Sequence, residues 1–150
     1  MNQPINGKER NIDTTSPEFS ILGAFYRGDD PELLRRAILS VFASSLAPSQ
    51  FVLVQDGPVT DELKSVVKEF SHKRSFELIE LSANLGLAAA LNHGLNFVSH
   101  EYVIRVDADD FNHPDRFRRL IEELDAGYDL VGSWIEEYSS EGRVIAVRKV

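Results

Sequence analysis

The sequence contains no cysteine, and this absence excludes two classes of structure. A disulfide scaffold and a zinc site with thiolate ligands both need cysteine side chains. The chain has 150 residues, which is enough for one domain with a sizeable hydrophobic core. Its 43% hydrophobic and 27% charged residues are ordinary for a soluble globular protein.

Long apolar runs and an excess of basic residues are also lacking. No apolar run approaches the roughly 20 residues that cross a bilayer, and the polar segment 1–17 has no signal-peptide core. The net charge of −8 disfavours a nucleic-acid partner. We therefore expect a cytoplasmic protein, with association at the inner face of the membrane left open. Residues 1–17 are predicted to form a disordered or loosely attached arm, and residues 18–150 to form the domain.

Strands and helices alternate four times from residue 19 onward. Asp30, Pro31 and Glu32 have the order of an N-cap, a first helical residue and a first-turn acid. The alternation predicts an α/β fold with a mostly parallel sheet flanked by helices on both faces. The predicted strands are 19–25, 51–54, 76–81 and 102–106, and the helices begin at Pro31, Thr60, Leu87 and His113. Two later strands are predicted at 128–135 and 144–147.

Polar or aromatic residues follow each of the four predicted parallel strands. Ligands of open parallel sheets bind beyond the carboxyl ends of the strands, so these residues are expected to converge on one edge. The four segments are Phe25-Tyr26-Arg27, Asp56-Gly57-Pro58, Ser82-Ala83-Asn84 and Asp107-Ala108-Asp109.

The most informative of these segments is the acidic one after the fourth strand, because Asp107, Asp109 and Asp110 lie within four residues. At a separation of ~5 Å and an effective dielectric constant of about 20, each pair of like charges costs on the order of 3 kcal/mol. A divalent cation makes such a cluster tolerable, and hard oxygen ligands suit Mg²⁺ or Mn²⁺. The segment therefore indicates a metal site.

Taken together, residues 19–137 resemble the nucleotide-sugar-binding half of inverting family 2 glycosyltransferases with the GT-A fold. The Asp-Gly-Pro form of the second motif is similar to bacterial enzymes that build capsule, exopolysaccharide or O-antigen chains. The matching segments are Ser20 to Tyr26, Ser40-Val41-Phe42, Val52 to Pro58, Asn84 to Gly94, Arg105 to Asp110 and Pro114 to Phe117.

The resemblance implies a donor site for a nucleoside-diphosphate sugar, most simply a UDP-sugar. Asp56 would accept a hydrogen bond from the base, and Phe25 and Tyr26 would lie against the base. Three further residues would line the approach to the base and the diphosphate, namely Asn84, Gly86 and Asn92.

The resemblance also implies roles for the acidic segment. Asp107 would bind the ribose or help to hold the metal, and Asp109 would coordinate the Mg²⁺ or Mn²⁺ ion that bridges the two phosphates. Arg105 would pair with an acid or reach a phosphate. The catalytic base of the family comes later in the chain, so we expect it beyond Val150 and expect this sequence to be part of a longer enzyme. The acceptor would be a glycan or a lipid-linked acceptor, and self-association stays open.

Other interpretations remain for the same residues. Asp56 could have no role other than forming the turn before Gly57. Asp107 could have no role other than an ion pair with Arg105 or Arg116. A non-catalytic module of the same fold is an alternative, since the half with the base is missing. Nucleotidyl transfer is disfavoured because the loop after the first strand is neither glycine-rich nor strongly basic. A dinucleotide-binding fold is disfavoured because no Gly-x-Gly-x-x-Gly follows a strand.

Overall fold

The computed structural model describes residues 17–139 and 141–149. The predicted N-terminal arm therefore lies outside the described residues, except for Pro17. The strands are β1 (Phe19–Phe25), β2 (Gln50–Gln55), β3 (Phe76–Glu80), β4 (Tyr102–Arg105), β5 (Ile135–Tyr138) and β6 (Val144–Arg148). The helices are α1 (Pro31–Phe42), α2 (Asp61–Phe70), α3 (Leu87–Gly94) and α4 (Arg116–Asp125), and a single 3₁₀ turn, Leu95–Phe97, follows α3.

The first four strands form one parallel sheet in the order β3-β2-β1-β4, which confirms the predicted fold class. In the register of this sheet, Phe25 pairs with Gln55 of β2, and Leu22 pairs with Arg105 of β4. β1 is therefore central, with β2 on one side and β4 on the other. β5 and β6 form a separate antiparallel hairpin.

Helices cover both faces of the sheet, as the alternation predicts. The larger core cluster packs buried residues of α1, α2 and α4 against one face, with Phe19, Phe51 and Phe117 at most 1% exposed. The smaller cluster packs Ala90 of α3 and four strand residues on the other face. Successive strand side chains point to opposite faces, which is why β1 and β2 contribute to both clusters.

The predicted helix starts follow from local chemistry and are confirmed for α1 and α2. The Asp30 carboxylate accepts hydrogen bonds from the backbone N–H groups of Glu32 and Leu33 at 2.8 and 3.0 Å. The Thr60 hydroxyl accepts one from the Leu63 N–H at 3.3 Å. Both caps satisfy amide groups that have no partner within the helix.

Two predictions about the later elements are wrong. The strand predicted at 128–135 begins only at Ile135, and Leu130 is 91% exposed, because segment 128–134 pairs with no strand among the described residues. The fourth helix begins at Arg116 rather than at His113. The His113 carbonyl instead accepts a hydrogen bond from the Arg116 N–H at 2.9 Å, which forms a turn ahead of the helix.

The sequence also predicts an apolar stripe of Leu87, Leu91, Leu95 and Val98 on the third helix, and only Leu91 and Val98 of these pack against the smaller core cluster. Leu87 and Leu95 are each 50% exposed, while the buried residues of the helix are Ala90 and Gly94. A Cβ atom at Gly94 would lie 2.6 Å from Leu22 Cδ1, so the helix approaches the sheet too closely for a larger side chain. Small residues therefore form the closest contact with the sheet, and Leu91 packs beside them. None of the helices in the described ranges is long and apolar enough to cross a membrane.

Candidate functional site

Asp56 and the acidic segment 107–110 lie on either side of the carboxyl end of β1. Beyond β2, the Asp56 N–H donates to the Phe25 carbonyl at 2.8 Å, and beyond β4, the Val106 N–H donates to the Leu22 carbonyl at 3.0 Å. Across the sheet, Asp56 and Asp107 are therefore two strand spacings apart, about 10 Å, and Asp56 lies two residues further along the strand direction in the register of β1. This is a span that one nucleoside diphosphate can bridge.

Asp56 is buried, at 4% exposure, and it holds the loop before α3. Its carboxylate accepts the backbone N–H groups of Leu85 and Gly86 at 2.7 and 2.9 Å. Its carbonyl accepts the Asn84 side-chain amide at 3.2 Å. Gly57 allows this approach, because its φ is +82° and a Cβ atom there would lie 2.4 Å from the Asn84 nitrogen. Asp56 is thus more than a turn residue, since it connects the ends of β2 and β3.

We expect Asp56→Asn to loosen the loop at residues 84–86. The amide nitrogen of asparagine cannot accept a hydrogen bond, so the N–H of either Leu85 or Gly86 loses its partly buried hydrogen bond. A hydrogen bond to a charged group contributes roughly 1.5–3 kcal/mol, so hydrogen exchange at Leu85 or Gly86 should accelerate by about tenfold or more. Hydrogen exchange followed by NMR measures this directly. The exposed Asp61→Asn is the control, and unchanged protection in Asp56→Asn would contradict the assignment.

The acidic segment after β4 is partly neutralised by a neighbouring arginine. Arg105 Nε and Nη2 donate to Asp107 Oδ1 at 3.0 and 2.7 Å, so the ion pair considered from the sequence is present. The Asp109 carboxylate is exposed and has no hydrogen-bond or ion-pair partner in the described part of the chain. Burial and the charges of Asp109 and Asp107 raise the pKa of Asp110. Negative charge therefore remains in excess here.

The sequence analysis missed a further carboxylate at this edge. Asp29 accepts the Tyr26 backbone N–H at 2.8 Å, and its burial together with the nearby Asp109 charge raises its pKa. It lies in the loop after β1, so its position at a strand end was the available signal.

The aromatic residues after β1 differ in accessibility. Phe25 is 2% exposed and belongs to the larger core cluster, whereas Tyr26 is 48% exposed. The Tyr26 ring folds back over Gly28, where a Cβ atom would lie 2.5 Å from the Tyr26 hydroxyl oxygen. Tyr26 is therefore the one of the two whose ring a ligand can reach.

The remaining predicted residues lie in the loop before α3 and on α3 itself. Asn84, Gly86 and Asn92 are all exposed. Gly86 has a φ of +86°, and its carbonyl accepts the Ala90 N–H at 3.0 Å at the start of α3. Their roles in ligand binding stay predictions.

Two curated bacterial relatives are similar to most of this chain. It is 38% identical over 125 residues to the UDP-Gal:alpha-D-GlcNAc-diphosphoundecaprenol beta-1,3-galactosyltransferase of Escherichia coli, covering 82% of this chain and 46% of that protein. It is 34% identical over 127 residues to the amylovoran biosynthesis glycosyltransferase AmsE of Erwinia amylovora, covering 83% of this chain and 48% of the relative. The chain thus spans about half the length of these relatives.

Solved structures show the same fold. The mannosyltransferase PcManGT from Pyrobaculum calidifontis, in complex with GDP-Man and Mn²⁺, has a TM-score of 0.68 at 22% identity, covering 83% of this chain and 37% of that chain. TarS 1-349 of S. aureus, in complex with UDP-GlcNAc, has a TM-score of 0.63 at 21% identity, covering 73% and 31%. Residues 20–149 match the sequence model of the family named glycosyl transferase family 2. The chain therefore belongs to glycosyl transferase family 2.

Proposed function

We propose that this chain is the donor-binding part of an enzyme that transfers a sugar from a nucleoside diphosphate to a glycan or a lipid-linked glycan. The observation that carries the proposal is the placement of Asp56 and the acidic segment on either side of the end of β1. Residues 20–149, which match the family model, include both motifs.

In this proposal the base lies on the side of β2 and the diphosphate on the side of β4. The Asp56 carboxylate oxygens keep lone pairs beyond those used by Leu85 and Gly86, so one of them accepts an N–H of the base, most simply N3–H of uracil. Tyr26, which is exposed, lies against the base, while its neighbour Phe25 is buried in the core. The approach is lined by Asn84, Gly86 and Asn92.

The acidic segment fits a hard divalent cation. Asp107 presents its second carboxylate oxygen, and the exposed Asp109 has no competing partner in residues 17–139 and 141–149. No group of three acidic or histidine side chains in those residues forms a complete metal site. This agrees with Mg²⁺ chemistry, in which one or two carboxylates hold the ion and substrate phosphates supply further ligands. Asp107 and Asp109 would hold the Mg²⁺ or Mn²⁺.

The residues of this edge prepare the donor for attack on its anomeric carbon. When bound, the cation supplies Lewis-acid stabilisation of the charge on the leaving diphosphate. Arg105 donates to the Asp107 carboxylate, and in this proposal it would also reach a phosphate oxygen. An acceptor hydroxyl attacks from the opposite face after losing its proton to a carboxylate base. That base is proposed to lie in the part of the enzyme that follows residue 150.

A lipid-linked acceptor is supported by the Escherichia coli relative, whose name includes an alpha-D-GlcNAc-diphosphoundecaprenol. An acceptor of this kind places the reaction at the inner face of the membrane, with peripheral association of the enzyme.

The chain is expected to bind UDP in a metal-dependent way, with Mn²⁺ tightening the binding by about tenfold or more because one or two carboxylates and the diphosphate share the ion. Isothermal titration with UDP and GDP, each with Mn²⁺ or with a chelator, measures this dependence and the base preference. Absence of nucleotide binding under all four conditions contradicts the proposal. Metal-dependent binding without sugar transfer by the full-length enzyme would favour the non-catalytic module.

A further inference from the structure

Arg116, at the start of α4, connects three separate segments of the chain. Its Nη1 donates to Asn112 Oδ1 at 2.7 Å, at the end of the acidic segment. Its Nη2 donates to the Arg105 carbonyl at 3.3 Å, at the end of β4. Its Nε donates to Ser133 Oγ at 3.0 Å, just before the hairpin. The guanidinium therefore spans both ends of the acidic segment and the chain that leads into β5.

The surroundings of Arg116 require an arginine. Burial lowers the pKa of its guanidinium, while the negative charges of Asp110 and Asp107 act in the opposite direction. A lysine would keep the charge, but its single ammonium group could not reach three acceptors in the directions of a planar fork. The side chain thus supplies fixed geometry as well as charge.

The other side of the acidic segment is held by α1. Ser40 Oγ accepts both the backbone N–H and the side-chain amide of Asn112, at 2.9 and 3.0 Å. The same hydroxyl donates to the Ala37 carbonyl at 2.7 Å, which fixes its direction. Asn112 is therefore held from two helices at once, and the segment 107–111 lies between two attached ends.

We propose that Arg116 is a positioning residue for the metal and diphosphate, because it fixes the acidic segment at Asn112 and at the Arg105 carbonyl. This inference rests on the proposed function. Arg116 touches neither the base nor the sugar in this scheme, and acts through the placement of Asp107 and Asp109. Its bond to Ser133 extends the same attachment to the segment before the hairpin.

The test compares Arg116→Lys with Arg119→Lys, a matched change on the same helix at an exposed arginine whose side chain has no hydrogen bond or ion pair among the described residues. Residues that orient metal ligands typically contribute about 10- to 100-fold to affinity, so Arg116→Lys should weaken UDP binding in Mn²⁺ by about tenfold or more. Uridine, which lacks the diphosphate, should bind within about twofold of wild type. Arg119→Lys should leave both affinities unchanged.

Two outcomes overturn the proposal. One is an Arg116→Lys variant that binds UDP with Mn²⁺ as well as wild type does. The other is an equal loss of uridine and UDP affinity, which indicates general damage to the fold. Ser133→Ala, which removes one of the three contacts of Arg116, is a second variant that keeps the test valid if the lysine variant misfolds. It should lower UDP affinity in Mn²⁺ by a smaller factor than Arg116→Lys does.

A second readout separates this proposal from the proposed function. If wild type binds no nucleotide, the proposed function fails, and hydrogen exchange of the amides at residues 108–112 still decides the positioning role. Arg116→Lys should then accelerate exchange at Asn112, whose N–H is bonded to Ser40, by about tenfold, since a lost hydrogen bond of ~1.4 kcal/mol corresponds to that factor. Unchanged exchange relative to Arg119→Lys overturns it.

Discussion

Replacing Asp109 by asparagine is expected to remove most of the Mn²⁺-dependent gain in donor affinity, with a loss on the order of 100-fold for UDP in Mn²⁺. The substitution keeps the shape of the side chain and removes its negative charge. A hard cation prefers a charged carboxylate oxygen to a neutral amide. Asp109 is exposed and unpaired among the described residues, so no compensating contact takes over. Titration of the variant with and without Mn²⁺ measures the effect.

The control for this variant is Asp129→Asn, the same chemical change at an exposed aspartate after α4. It should leave the Mn²⁺ dependence unchanged, and UDP affinity without metal should be similar in all three proteins. If Asp109→Asn retains the full Mn²⁺ effect, the cation does not depend on that carboxylate and the metal assignment is wrong.

Phe117→Ala is expected to reduce the free energy of unfolding by about 3–5 kcal/mol, the usual range for a buried phenylalanine. Phe117 is fully buried, and its ring packs edge-to-face on Phe19 with centroids 5.8 Å apart. The substitution leaves a cavity between α4 and the sheet, next to Arg116. Since domains of this kind are stable by only about 5–15 kcal/mol, the loss is large. Urea unfolding measures it.

Phe97→Ala serves as the matched control, because Phe97 is 38% exposed and lies outside both core clusters. Phe97→Ala removes one ring contact, with His93. Apart from that contact, it should lower the free energy of unfolding by less than about 1 kcal/mol. Ordinary substitutions lower the free energy of unfolding by roughly 0.5–3 kcal/mol. If Phe117→Ala lowers it by less than about 1 kcal/mol, the larger core cluster is not what holds α4 in place.

The parts of the fold that were predicted correctly depend on local chemistry. Asp30 and Pro31 determine the start of α1 through contacts within three residues. The strand from Phe51 to Val54 was recognised because a strand covered on both faces is continuously apolar. The placement of the acidic motifs at one edge follows from the parallel order of the strands, which the alternation already indicates.

The parts that were not predicted depend on contacts between residues far apart in the sequence. Nothing near Leu130 shows that its segment lacks a neighbouring strand. The apolar pattern of α3 favoured its leucines, but the close approach of Gly94 to Leu22 and Val54 decides which face is buried. The bond between Ser40 and Asn112 joins residues 72 positions apart, so no local pattern reveals it.

The most direct test is a crystal structure of the chain with UDP and Mn²⁺, in which anomalous scattering locates the metal. We expect the Mn²⁺ about 2 Å from an Asp109 carboxylate oxygen and from a diphosphate oxygen, with the uracil ring next to Asp56 on the other side of β1. A metal peak at another edge of the sheet, or a nucleotide bound away from Asp56 and Asp109, would contradict the assignment of this edge as the donor site.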